Sequence, residues 1–390
     1  YQRGIISMNR STKKVAMILF ILLMTAVLAA CGNNAADQKD DKSGDSEEGL
    51  KIAIVTSPSG VDDGNFNEDN YNGILNFIEN NPTATVKAVK EETGDPAAAV
   101  QAVADIVADY DVIVAPGFQF GGVSSIALEN PDKIFILNDT EVVPVDGQTD
   151  FENIYAMNFA EQESGFFAGI AAALETTTNK VAVVNGIAYP SNVNYQFGFE
   201  SGVNYANKVY GKNVEIVELS GYAGTDINEN NVGGNYAGSF ADEATGKVIG
   251  NALINEGVDI IFTAAGGTGN GVFTAVKEAK DDVKVIGVDV DQYDDGENGS
   301  ENIVLTSAVK FMAMNIEKAL NSVVDGTFEG GSVVLHADSD STGFIKEEGR
   351  HQLTEDTLNK LNETYELVKD GTIVPASNFN GHTPEEFPGL

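Results

Sequence analysis

Tryptophan is absent from this 390-residue chain, cysteine occurs once and histidine three times. A single cysteine excludes a disulfide framework, a zinc–thiolate cluster and a CxxC redox motif. The histidines, His336, His351 and His382, share no ligand spacing and read as structural or surface residues. Positive charge is scarce too: 23 Lys and Arg stand against 59 Asp and Glu, a formal −36. Four of the bases (Arg3, Arg10, Lys13, Lys14) fall in residues 1–30, which hold no acid. The other 360 residues therefore carry 19 bases, 59 acids and a net −40. That field repels phosphate backbones and anionic headgroups, so nucleic acid is not an expected partner. At 42% apolar residues the chain can bury a core, which excludes wholesale disorder. Its length suits two lobes better than one.

What is present at the front reads as an address. Tyr1–Ser7 precede Met8, the expected start. A basic stretch (Arg10, Lys13, Lys14) and an apolar run from Val15 to Val27 follow, then Leu28-Ala29-Ala30-Cys31. The run is short for a spanning helix, and small residues precede the break, as in an export signal. The lone cysteine stands where a bacterial lipobox places one. Resemblance to that signal implies cleavage before Cys31 and thioether lipidation of it, with acyl chains of the palmitate kind. It also implies display on the extracytoplasmic face of the cell membrane. The alternative is an uncleaved anchor helix. Residues 31–49 contain almost no apolar side chains and are expected to form a flexible tether.

From Leu50 onward short apolar runs alternate with helical stretches. Strands are expected at Leu50–Thr56, Thr85–Val89, Val112–Ala115 and Ile134–Asn138, then at Val181–Val184, Val214–Leu219, Ile260–Ala264, Val285–Val288 and Ile303–Ser307. A helix is expected over Asn67–Asn80, another after Asp95-Pro96. Such alternation predicts an α/β fold with parallel sheets and right-handed crossovers. Asn153–Phe159 is expected to leave the first sheet. Residues 50–158 with about 292–320 would form one lobe, residues 159–291 with about 321–376 the other, and 377–390 a loose tail.

Ligands bind at the carboxyl ends of the strands in such sheets, so the informative residues follow each strand. The first such loop offers Asp63, Phe66 and Asn67. Phe66 suits an aromatic plate facing a cleft, and equally a staple on a helix whose cap is Asp63 or Asn65. Asp139 follows the Ile134–Asn138 strand. Ala265-Gly266-Gly267-Thr268-Gly269-Asn270-Gly271 follows another, but Val272-Phe273 replace the Lys and Ser/Thr of a phosphate loop, and the dinucleotide spacing also fails. A glycine turn that admits a ligand to the backbone survives. The acids Asp289, Asp291, Asp294 and Asp295 form the densest acidic cluster. A calcium loop starting at Asp291 would place Tyr293 and Asn302 at ligand positions, so a hydroxyl-binding Asp289 is more economical. Lys310 is expected at a helix start, against the macrodipole, where pairing with Asp289 would give it a task.

Taken in order, VDDGNFNE, ILND, FAEQESGFFAGIAAAL, GFESGV, GSFAD, AAGGTGNGVF, GVDVDQ and LTSAVK resemble the basic membrane protein family of ABC-transporter lipoproteins, purine-nucleoside receptors among them. The resemblance spans about Leu50 to Leu320. It implies the type I periplasmic-binding-protein fold, two Rossmann-like lobes with a ligand cleft between them. It implies a nucleoside ligand, a membrane permease as partner, no cofactor, no metal, no catalysis and a monomer. By the matching motifs, Phe66 and Phe240 would sandwich a purine. Asn67 and Asp139 would face its edge, with Asp63 nearby. Asp289 and Lys310 would hold the ribose hydroxyls, and Gly266 would admit the sugar. Two departures stand out. Residues 224–234 look inserted before GSFAD, which leaves Phe197 and Phe199 as other candidate plates. Asn194-Tyr195-Gln196 lacks the basic residue expected before GF. Two other readings on this sequence are a sensor for another polar metabolite and a calcium-dependent nucleoside hydrolase built on the acidic cluster.

Overall fold

In the computed structural model, which describes residues 49–280, 282–378 and 380–390, the apolar runs become parallel strands. The expected export signal, Cys31 and the tether up to residue 48 lie outside the described residues. The first series runs β1 (Lys51–Thr56), α1 (Phe66–Asn80), β2 (Thr85–Lys90), α2 (Pro96–Ile106), β3 (Val112–Pro116), α3 (Ser124–Glu129), β4 (Ile134–Asn138) and β5 (Ile154–Phe159). The second opens with α4 (Glu161–Glu175), β6 (Lys180–Asn185), α5 (Pro190–Val209), β7 (Glu215–Ile216) and a small hairpin, β8 (Gly224–Thr225) and β9 (Asn231–Gly233). It continues through α6 (Glu243–Asn255), β10 (Ile260–Ala264), α7 (Gly267–Glu278), β11 (Lys284–Asp289), the hairpin β12 (Glu297–Asn298) and β13 (Glu301–Asn302), and β14 (Val304–Lys310). Then come α8 (Met312–Val324), β15 (Gly331–Leu335), β16 (Thr342–Phe344) and α9 (Glu355–Lys369).

Two six-stranded sheets result. The first, in the order β2-β1-β3-β4-β5-β15, is parallel throughout. The second, β7-β6-β10-β11-β14-β16, is parallel except for β16 against β14. Strands buried on both faces read as continuous apolar runs, and alternate residues feed two cores. In the first sheet Ile52, Ile54, Val112 and Val114 meet Ile74 and Phe77 of α1 and Ile316 and Leu320 of α8. Their neighbours Ala53, Val55, Ile113 and Ala115 face Ala99 and Val103 of α2.

The chain crosses between lobes three times: β5 to α4, β14 to α8, and β15 to β16. This corrects the expected boundaries. Val304–Lys310 pairs with β11 in the second sheet, and only from Met312 does the chain return to the first lobe, where it stays through β15. β5 remains in the first sheet rather than leaving it. An apolar run states that it is a buried strand but not which sheet it joins. The tail is not loose: Asn204 Nδ2 donates to the Pro384 carbonyl at 3.0 Å, and the buried Phe387 ring meets Phe166 edge-on at 5.9 Å.

The start of α4 ties the three crossovers together. Ser164 Oγ donates to the Val309 carbonyl at 2.8 Å and accepts from the Gly343 N–H at 3.0 Å. The Glu163 carboxylate accepts from the Ala337 N–H and the Thr342 hydroxyl and meets His336 Nδ1 at 2.8 Å. Farther along, α4 and α5 pack backbone to backbone through Gly165, Gly169, Gly198 and Gly202. A Cβ on Gly169 would stand 2.1 Å from the Phe199 carbonyl oxygen, and one on Gly202 2.1 Å from that of Phe166. We therefore expect Gly202→Ala to cost about 1–3 kcal/mol, as overpacking of a filled core does. Thermal denaturation checks this: a midpoint several degrees lower is expected, and an unchanged midpoint contradicts the packing.

Candidate functional site

The carboxyl ends of both sheets face each other across a cavity of about 630 Å³. Asp63, Phe66, Asn67, Asp139, Phe240, Gly266, Asp289 and Lys310 all line it. Strand-end geometry explains three of them. Asp139 follows β4 at φ 55°, Asp289 ends β11 at φ 67°, and Gly266 follows β10 at φ 55°. Left-handed backbone is uncommon outside glycine and falls preferentially on Asp and Asn. Each turn swings a functional group out of its sheet.

Asp63 spends its carboxylate locally. It accepts from the N–H groups of Asn65, Asn67 and Glu68, each at 3.1 Å, and from Asn67 Nδ2 at 2.7 Å. Burial raises its pKa despite these bonds. It caps α1, and Asn65 also accepts from the Phe66 N–H. The Asn67 amide nitrogen is thus fixed on Asp63 and, at 3.0 Å, on Ser57 Oγ. Asn67 Oδ1 is left buried with no hydrogen-bond partner among the described residues, and so is Asp139 Oδ1. Both are acceptors.

The remaining charges form a cluster. Lys310 Nζ donates to Asp139 Oδ2 at 2.5 Å and lies 3.6 Å from Asp289 Oδ1 and 3.7 Å from Glu161 Oε1. These side chains are 1%, 7%, 9% and 3% exposed, respectively, for Lys310, Asp139, Asp289 and Glu161. Lys310 ends β14 rather than starting a helix, so the expected conflict with a macrodipole does not arise. Its nearest partner is Asp139, not the Asp289 that the sequence suggested. The ammonium also lies 5.0 Å from the centre of the Phe66 ring. Burial lowers the Lys310 pKa, but the carboxylates of Asp139, Asp289 and Glu161 outweigh it and hold the value above the ordinary one. Burial raises Asp289, more than Lys310 lowers it. Burial, then the Asp139 charge, push Glu161 up to about 8. Three ionised carboxylates around one ammonium would leave a buried net charge of −2, and a proton on Glu161 relieves it.

Phe240 enters the cavity despite the preceding insertion, which forms the β8–β9 hairpin. Its ring lies on the Gly186 backbone, where a Cβ would stand 2.2 Å from Phe240 Cδ1. Phe199 is buried and stacked on Phe262, which removes it as a plate; Phe197 packs beside Val193 and Tyr236. The segment lacking a basic residue buttresses the site instead: the Tyr195 hydroxyl donates to Asp289 Oδ1 at 2.9 Å, and Asn194 Nδ2 donates to Glu161 Oε2 at 3.0 Å.

Sequence reasoning missed Phe118 and Tyr189. Their rings meet across the lobes at 4.8 Å, and Tyr189 continues to Phe240 at 6.0 Å. Both follow strands, β3 and β6, so the strand-end rule held the signal. Asp291 and Asp294 are ion-paired with Arg350, and neither they nor Asp295 line the cavity. Among the described residues no group of His, Cys, Asp and Glu is placed to hold a metal ion.

Comparison with known proteins fixes the class. The family model for Bmp, an ABC transporter substrate-binding protein described as PnrA-like, matches residues 50–219 and 222–378, and the chain belongs to that family. It is 30% identical over 342 residues to the ABC transporter nucleoside-binding protein BmpA of Lactococcus lactis subsp. cremoris, covering 83% of this chain and 88% of that one. It is 29% identical over 390 residues to the CD4+ T-cell-stimulating antigen of Listeria innocua, covering 94% and 98%. A solute-binding protein of an ABC transporter system from Aeropyrum pernix K1 superposes with a TM-score of 0.70 at 22% identity, covering 85% of this chain and 94% of that one. The fold is that of type I periplasmic binding proteins, and the chain is an ABC transporter substrate-binding protein.

The proton on Glu161 has a consequence for stability. An acid whose pKa rises on folding stabilises the fold fully below its unfolded value, and that stability is lost as pH climbs through the folded value. Between about pH 5 and pH 8 the melting temperature is expected to fall, and Glu161→Gln to reduce the fall. A pH series of thermal melts checks this; identical slopes in both proteins contradict it.

Proposed function

We propose that this chain is a lipid-anchored receptor that captures a purine nucleoside between its lobes and delivers it to an ABC permease. The observation that carries the reading is the pair of buried, unpartnered acceptors, Asn67 Oδ1 and Asp139 Oδ1, in a cavity that also holds an Asp289–Lys310 couple. Two acceptors suit the N–H groups of a purine edge. A carboxylate beside an ammonium suits a diol, since one accepts and the other donates. Phe66 and Phe240 supply apolar faces for the ring. The carboxylates around Lys310 disfavour a phosphate, so a neutral nucleoside is preferred to a nucleotide. The name of the Lactococcus lactis relative agrees with this ligand class.

Closure of the lobes around the ligand presents one state to the permease. The lobes already touch here: Ser59 Oγ donates to the Phe240 carbonyl at 3.3 Å. Calorimetric titration with adenosine, guanosine and inosine tests the assignment. Phe66→Ala and Asp289→Ala are each expected to weaken binding tenfold or more with the fold intact, Phe66→Ala through the stacking that an aromatic face supplies. Unchanged affinity in both variants would refute it.

The anchor rests on the lipobox at Cys31. Among the described residues no helix is long and apolar enough to cross a membrane. When the chain is expressed in a bacterium, Cys31→Ala is expected to abolish both metabolic labelling by palmitate and recovery with the membrane. Labelling that survives the substitution sinks this part of the proposal.

A further inference from the structure

Gln119 lines the ligand cavity, is only 8% exposed, and its side-chain amide makes no hydrogen bond with any described residue. A buried amide without a partner is costly unless something else engages it. The other amides lining the cavity are committed through their nitrogens, Asn67 Nδ2 to Asp63 and Ser57, and Asn192 Nδ2 to Asn185 Oδ1 and the Ala264 carbonyl. Among the described residues, Gln119 is the one lining amide with both ends free. The backbone explains where it sits. The loop after β3 lies between the loop after β1, which leads to Asn67, and the turn after β4, which carries Asp139. The Gly117 N–H donates to the Asn138 carbonyl at 2.8 Å and the Phe120 N–H to the Gly117 carbonyl at 3.0 Å, so the turn is fixed. Gly117 has φ 119°, and a Cβ there would stand 2.6 Å from Gln119 Oε1 and 2.8 Å from Nε2. Glycine thus clears the space that both ends of the amide occupy.

Its two neighbours on the wall are fixed acceptors. Asp63 and Ser57 hold the Asn67 nitrogen, Lys310 holds Asp139 Oδ2, and the oxygens left over accept only. Such atoms suit N–H groups and nothing else. The sixth position of a purine nucleoside varies in kind: inosine and guanosine carry an oxo acceptor there, adenosine an amino donor. Acceptors alone would turn the oxo form away. A free amide answers either, with Nε2 donating to an oxo group or Oε1 accepting from an amino group. Resting on the nucleoside reading above, we propose that Gln119 reads the sixth position of the purine and, by turning its amide, admits both oxo and amino nucleosides to one site.

The test is calorimetric titration of the full chain with inosine, adenosine and purine riboside, which carries only hydrogen at the sixth position. The wild type is compared with Gln119→Met, which keeps the length of the side chain and loses its amide. The wild type is expected to bind inosine and adenosine within about tenfold of each other. Gln119→Met is expected to weaken both by about fivefold or more, as the loss of one hydrogen bond does, and purine riboside by less than about twofold. Retained binding of purine riboside also shows that the variant is folded, and Gln119→Leu gives the same comparison if Gln119→Met does not fold. A wild-type preference for one of the pair beyond about tenfold overturns the inference. So does a folded variant that loses affinity equally for all three ligands, for one of the pair alone, or for none. Failure of the wild type to bind any purine nucleoside overturns the nucleoside reading instead.

Discussion

One buried ammonium joins the two halves of this molecule. Lys310 is delivered by the second sheet and makes its shortest contact with Asp139 of the first, with Asp289 and Glu161 close by. A lysine this buried persists only because carboxylates surround it, and the carboxylates persist only because of the lysine. The cluster therefore fixes where the strand ends of both lobes meet. It sets the polarity of the cavity and leaves defined acceptors on the walls.

The scaffold around that cluster serves its placement. Parallel sheets bring their carboxyl ends to the cleft, and left-handed turns at Asp139, Asp289 and Gly266 aim groups into it. Residues held in sparsely populated backbone regions gather at functional sites when the surrounding fold over-determines them. Behind the cluster, glycine-to-glycine packing of α4 and α5 sets the positions of Glu161 and Tyr195. Glu163 and Ser164 bind the crossovers that connect the lobes.

Much of this was legible in the residues alone, because buried parallel strands announce themselves as apolar runs and ligands gather where such runs end. The eight site positions came from motifs as well as from that rule, and they line one cavity. What was not legible follows from missing long-range information. Val304–Lys310 reads as a strand in any sheet, so the second crossover was placed too early. Asp139 and Lys310 are 171 residues apart, and nothing local says that they touch. Phe387 looked like part of a proline-rich tail until its ring met Phe166. Glu161 drew no reading of its own inside FAEQESGFFAGIAAAL, and an acid in the first turn of a helix is ordinarily favoured there. Its burial against Asp139 is a tertiary fact.

The most direct measurement of the central claim is a crystal structure of the chain with inosine. The account predicts the purine between Phe66 and Phe240, its edge donating to Asn67 Oδ1 and Asp139 Oδ1. It also predicts the ribose hydroxyls on Asp289 and Lys310. Inosine bound away from this cavity, or within it with the two acceptors unengaged, would contradict the account.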